Sequence, residues 1–205
     1  MNITALESRR KSLMEVFLDG QSAGMVDMET LLRTGLRVGD DIDDAGWSAL
    51  CAESDYTRAK SYALWLLGSR SYATAQLREK LRGQYGAEAA ERAVERMQEL
   101  NLLNDADYAY RCASDLYRLK HFSVSRVVQE LRQRGIDGDL ARQTAEEAAA
   151  EYAPDPQETL AELLRTKFAG KYQDEKGRRR TVAALQRLGY RWDDIRTVLA
   201  LNEEE

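Results

Sequence analysis

Residues 104–152 read NDADYAYRCASDLYRLKHFSVSRVVQELRQRGIDGDLARQTAEEAAAEY, and this stretch contains the start and stop signals of a complete three-helix unit. Asp105 is placed to cap a first helix whose apolar stripe is Tyr108, Ala109, Cys112 and Leu116. A break is expected at His121. Beyond it Val124, Val127, Val128 and Leu131 repeat at i, i+3, i+4, i+7, the spacing of one buried helical face. Gly135 stops that helix, because the residue just past a helix end often turns left-handed, and Ile136 follows where an apolar contact closes such an end. Asp137 then opens a third helix with Leu140, Thr144, Ala145, Ala148 and Tyr152 along one side.

The same grammar recurs on both sides. In residues 55–103 a helix from Tyr56 to Gly68 precedes one carrying Leu77 and Leu81, then Gly86 and a helix with Val94, Met97 and Leu100. In residues 154–205 the series is Leu160, Leu163, Leu164, Phe168, then Val182, Leu185, Gly189, then Trp192, Ile195, Leu199. The second-helix leucines Leu81, Leu131 and Leu185 stand 50 and 54 residues apart, and glycine follows five, four and four residues later. Repetition at this period marks a helical array whose small units lean on their neighbours. The expected architecture is mainly α, an elongated and curved tandem of three three-helix repeats at 55–103, 104–153 and 154–205. A small β-hairpin plus helix extension over 1–54 precedes it.

In that extension, Met1 to Ser8 is short and polar and is expected to be loose. Leu13 to Leu18 has strand composition, Asp19-Gly20 signals a two-residue hairpin turn, and Ala23 to Val26 can return. A hairpin needs a helix to lie on, and Met28 to Thr34, ended by Gly35, and Trp47 to Cys51 are the candidates. Asp40, Asp41, Asp43 and Asp44 tempt a calcium reading, but Ala45 and Ala52 fall where oxygen ligands are required, so helix capping by Asp43 or Asp44 with ordinary solvation is the better account. The two prolines, Pro154 and Pro156, mark a hinge or fixed elbow between the second and third units.

These residues resemble the RecX family, regulators of the RecA recombinase, over almost the whole chain. Leu102-Leu103-Asn104-Asp105 with Tyr108-Ala109 is similar to the family's entry to its middle repeat. Arg126 and Leu131 with Arg132-Gln133-Arg134-Gly135-Ile136 resemble the end of that repeat's second helix. Leu77 with Lys80-Leu81 resembles the first repeat, with Gln76 where an acid is usual, and Arg180, Leu185 and Gly189-Tyr190 resemble the third. Each motif is a few common residues, and the signal is their order. The chain departs from the family at Ser123-Val124, where Gly-Pro or Gly-Lys is usual. The resemblance implies a non-enzymatic monomer, without cofactor or metal, that binds the RecA–DNA filament. It further implies inhibition of RecA ATPase, strand exchange and co-protease activity, in recombinational repair and the SOS response.

Composition agrees with an interaction protein. The chain of 205 residues has 43% apolar and 32% charged residues. It contains no apolar run of about 18 residues to span a bilayer and no apolar leader in Met1 to Arg10, so the cytoplasm is expected. Cys51 and Cys112 lie on helical stripes and are read as core thiols. His121 is the only histidine, and neither a glycine-rich phosphate loop nor a spaced carboxylate pair supports catalysis.

The net charge of −5 hides segregation. Residues 58–82 hold Arg58, Lys60, Arg70, Arg78, Lys80 and Arg82 against Glu79 alone. Residues 118–134 hold Arg118, Lys120, Arg126, Arg132 and Arg134 against Glu130, and the third unit has Lys176, Arg178, Arg179 and Arg180 in its basic half. Acids gather in the third helices. These cations, Arg70 apart, are the candidate contacts to DNA or filament, with single- or double-stranded DNA the weaker partner. Tyr72, Tyr117 and Tyr172 lie near basic segments and are candidates to stack on unpaired bases, whereas Tyr62, Tyr108 and Tyr152 fit core stripes. The alternative function is a sequence-tolerant DNA-binding helical-repeat protein acting independently of RecA.

Overall fold

The structure is a computed structural model and describes residues 1–10, 12–153 and 155–201. Two compact units, Met1–Asn104 and Asp105–Glu205, divide the chain.

The first unit opens with an antiparallel meander, β1 (Ile3–Ser8), β2 (Leu13–Leu18) and β3 (Gln21–Asp27), in that order across the sheet. Leu18 faces Gln21 across a two-residue turn in which Asp19 and Gly20 hold φ of 50° and 83°, as the turn signal requires. The amino-terminal stretch expected to be loose is instead β1. Its one apolar residue at the strand start, Ile3, is fully buried with Val16, Leu18, Val26, Leu31 and Leu50. The Ile3 backbone is also tied on its outer side, its N–H to the Asp40 carbonyl at 2.9 Å and its carbonyl to the Gly39 N–H at 2.8 Å. A short polar sequence can be ordered in this way by one buried side chain and a satisfied backbone.

Helix α1 (Met28–Thr34) ends at left-handed Gly35 as expected. Helix α2 (Asp44–Ser69) merges the two helices read at Trp47 to Cys51 and Tyr56 to Gly68. Asp43 caps it, accepting from the Gly46 N–H at 2.7 Å, which bears out the capping role of the acidic cluster. Because α2 is continuous it serves two cores. Its first half gives Leu50 to the sheet, and its second gives Ala59, Ala63 and Leu66 to the core with Leu77, Leu81, Val94 and Met97. Those last residues come from α3 (Thr74–Tyr85) and α4 (Ala87–Glu99). Leu100, expected inside, is exposed, because α4 ends one residue earlier.

The second unit contains α5 (Asp105–Asp115), a π-helical turn (Leu116–Lys120), α6 (Val124–Gln133) and α7 (Gly138–Tyr152). The break falls at His121, whose φ of 54° closes the π turn. Ser123 caps α6 in place of the glycine usual in the family, and Asp137 caps α7. Then come α8 (Pro156–Arg165), α9 (Glu175–Arg187) and α10 (Trp192–Leu201) around Leu160, Leu164, Leu185, Ile195 and Leu199. Trp192, read as part of that stripe, is half-exposed at the first position of α10. Of the expected elbow, Pro154 lies outside the described residues, and Pro156 opens α8 behind an Asp155 cap.

Gly135 and Gly189 hold φ of 85° and 95°, and the residue after each donates back to the repeat's leucine, Ile136 N to Leu131 O and Tyr190 N to Leu185 O. This six-to-one closure is the Schellman end that the glycine-plus-apolar pair predicts.

Candidate nucleic-acid interface

The cations read from the sequence sort into those already neutralised within the fold and those left to solvent. In the first unit, Arg78 donates from Nε and an Nη to the two oxygens of Glu91 at 2.7 and 3.1 Å, a fork that ties α3 to α4. Arg58 pairs with Asp55 at 3.3 Å and lies 5.3 Å from the Tyr85 ring centroid. Lys60 reaches Glu29 at 4.0 Å. Lys80 and Arg82 are exposed and form no ion pair among the described residues.

In α6 the three arginines do not act as one group. Residues four apart share a helix face, so Arg126 and Arg134 both converge on Glu130, at 2.7 and 2.9 Å. Glu130 is only 17% exposed, so it draws both guanidinium groups inward. Arg126 also receives the face of Phe122 at 5.5 Å, and its Nε is buried without an acceptor. Arg132 lies on a different side, exposed, where it helps lower the Asp137 carboxyl that the α7 backbone already holds below its usual range. The π turn buries Leu116 and Tyr117 and leaves Arg118 and Lys120 exposed. The Arg118 guanidinium lies 5.9 Å from the Tyr152 ring.

On α9, Arg179 pairs with Glu175 and Arg178 is half-buried. Lys176 and Arg180 join Lys171, Gly170 and Asp174 around a cavity of about 390 Å³. The exposed cations without an ion pair among the described residues therefore include Lys80 and Arg82, then Arg118, Lys120 and Arg132, then Lys176 and Arg180. Every repeat supplies some.

The stacking candidates fare differently. Tyr72 is buried at 7% exposure, and Tyr117 at 2% donates its hydroxyl to the Ala145 carbonyl at 2.9 Å, so neither can meet a base. Tyr172 packs half-buried on the third core. Tyr72 and Tyr172 lie in the connections that precede α3 and α9, and Tyr117 lies in the π turn; each packs inward onto a core, which proximity to basic residues in sequence does not disclose. The most exposed aromatic side chain among the described residues is Trp65, 66% exposed and stacked on Tyr62. Its spacing of i+7 from Arg58 and i+3 from Tyr62 was the available signal.

No group of His, Cys, Asp and Glu among the described residues is arranged to hold a metal ion, and no helix there is long and apolar enough to cross a membrane. Cys51 and Cys112 are half-buried free thiols rather than full core residues, and burial pushes the Cys51 thiol above its usual range.

Comparison with known proteins agrees with this architecture. Residues 59–97 match the family description "RecX, first three-helix domain" and residues 104–144 match "RecX, second three-helix domain". The chain is 38% identical to the regulatory protein RecX of Trichlorobacter lovleyi over 65% of its own length and 88% of the relative's. It is 32% identical to that of Prosthecochloris aestuarii over 72% and 95%, and 24% identical to that of Clostridioides difficile over 96% and 93%. A crystal structure of a regulatory protein RecX superposes with a TM-score of 0.63 at 18% identity, covering 97% of this chain and 98% of that one. RecX from Lactobacillus salivarius superposes at 0.60 with 20% identity, covering 74% and 98%.

Proposed function

Because this chain belongs to the RecX family of regulatory proteins, we propose that it binds the RecA–DNA filament and restrains RecA. The restrained activities are ATP hydrolysis, strand exchange and co-protease action, in recombinational repair and the SOS response in the cytoplasm. The supporting observation is family membership combined with solvent-facing cations in every repeat. The mechanism is steric and electrostatic and needs no chemistry from the protein itself. Exposed arginine and lysine meet DNA phosphates, fixing position without reading sequence. The acid-rich faces of α4 and α7 meet basic protein surface, which sets partner choice and encounter rate. Units of this size, repeated in tandem at 55–103, 104–153 and 154–205, provide more than one point of contact.

The test is RecA ATPase on single-stranded DNA with the purified protein in several-fold excess. Suppression is expected, and an untouched ATPase defeats the reading and favours a DNA-binding protein independent of RecA. Salt dependence of DNA binding then locates the phosphate contacts. Each of Arg118, Lys120 and Arg132 replaced by glutamine should lower the log–log slope by roughly 0.7 to 0.9. Arg126 and Arg134, neutralised by Glu130, should each lower it much less.

A further inference from the structure

We propose that the exposed ring of Trp65 is the outer plate of an aromatic stack that receives an unpaired base of single-stranded nucleic acid. This deepens the DNA-contact half of the function proposed above and rests on it. Helix α2 places Arg58, Tyr62 and Trp65 at i, i+4 and i+7, on one face. The Trp65 ring lies on Tyr62 with centroids 5.7 Å apart and planes 12° from parallel, and Tyr62 leans on Tyr85 at 6.1 Å and 59°. Arg58 stands over the Tyr85 ring. The stack is thus anchored at its inner end by a half-buried tyrosine pair packed on the first-repeat core, and open at its outer end, where Trp65 is 66% exposed.

A flat ring backed by a parallel ring presents the surface on which another flat ring packs best, and every base has such a face. A duplex keeps those faces inside its own stack, so the occupant is an unpaired base. The charges around it suit a polyanion. Arg58, Lys60 and Arg78 are spoken for by Asp55, Glu29 and Glu91, but Lys80 and Arg82 on α3, Arg82 one turn before Tyr85, are exposed without an ion pair among the described residues. An apolar protein partner would want a continuous patch, but the exposed neighbour Leu64 projects about 100° around the helix from Trp65.

The test uses the full chain carrying Trp47→Phe and Trp192→Phe, so that Trp65 is the only tryptophan emitter, titrated with oligothymidylate and with a duplex of equal length. Saturable quenching by the single strand and little by the duplex is expected. In the wild-type background Trp65→Ala should weaken oligothymidylate binding about 5- to 100-fold with an unchanged salt slope and an unchanged circular dichroism spectrum, and Trp65→Tyr should retain most of the affinity. Equal affinity of Trp65→Ala and wild type overturns the proposal. So does equal quenching by duplex, quenching that grows with protein concentration alone, or quenching by RecA without any response to the oligonucleotide. RecA inhibition that persists without an oligonucleotide response defeats only this stack. An oligonucleotide response without RecA inhibition defeats the proposed function and leaves the stack standing.

Discussion

Replacing Gly189 by alanine is expected to loosen the joint between the second and third three-helix repeats. That joint is built of hydrogen bonds to backbone carbonyls. The Ser123 N–H donates to the Leu188 carbonyl at 2.9 Å, the Ser125 hydroxyl to the Gly189 carbonyl at 3.2 Å, and the Tyr190 hydroxyl to the His121 carbonyl at 3.0 Å. A methyl group at Gly189 would lie 2.3 Å from Ser123 Oγ, 2.6 Å from Arg126 Cβ and 3.3 Å from the Arg126 nitrogen. Ser123 can rotate its hydroxyl away, at the loss of the α6 cap. Arg126 Cβ has no torsion with which to yield, so α6 itself must move by several tenths of an ångström or more. The φ of 95° adds a cost of about 1–2 kcal/mol for an L residue, and forced repacking adds about 1–3 kcal/mol. For a chain of this size the sum lowers the melting temperature by roughly 5–15 °C. Thermal unfolding by circular dichroism measures this, and amide exchange at Ser123 should accelerate in parallel. The control is Gly83→Ala, inside α3 with nothing within 4 Å of the added methyl, which should be neutral or stabilising by up to about 1 kcal/mol. A Gly189→Ala protein that melts with the wild type and keeps its Ser123 amide protected would refute the reasoning.

Glu53 on α2 receives Arg92 of α4 at 2.6 Å and Arg33 of α1 at 2.5 Å, and these partners, Arg92 foremost, hold its carboxyl below the usual range. A lowered folded-state pKa contributes stability that is present above the unfolded value near 4.5 and is lost as pH falls through the folded value. Glu53→Gln should therefore flatten the acid limb of urea-unfolding stability, and an unaltered limb counts against the bridge. Tyr190 is pushed by burial up to about 12. An unfolded chain ionises its tyrosine near 10, so stability should fall as pH rises from there towards 12, and Tyr190→Phe should abolish that contribution while costing about 1 kcal/mol at neutral pH for the lost bond to His121. Glu130→Gln should release Arg126 and Arg134 and steepen the salt dependence of DNA binding; equal slopes for mutant and wild type would mean those arginines never reach phosphate.

Much of this fold was legible because its signals are local. The stops at Gly35, Gly135 and Gly189, the caps at Asp43 and Asp137 and the turn at Asp19-Gly20 each depend on a few consecutive residues, and the structure places all of them where the spacing put them. Buried stripes such as Val127 with Leu131 followed from periodicity for the same reason. What depends on residues far apart in sequence was settled only by the tertiary structure. Ile3 makes a strand of a polar terminus because it meets Val16, Val26 and Leu50. Helix α2 runs unbroken past residue 54 because Ser54 and Thr57 are held by Asp27 and Thr30 of the extension, through hydrogen bonds of 2.8 and 3.1 Å. The arginines counted as a basic segment became two classes once Glu130 and Glu91 were seen to claim some of them. Charge composition is a property of the chain, but whether a charge is free to meet a partner is set by the distance to its nearest opposite, and that distance exists only after folding.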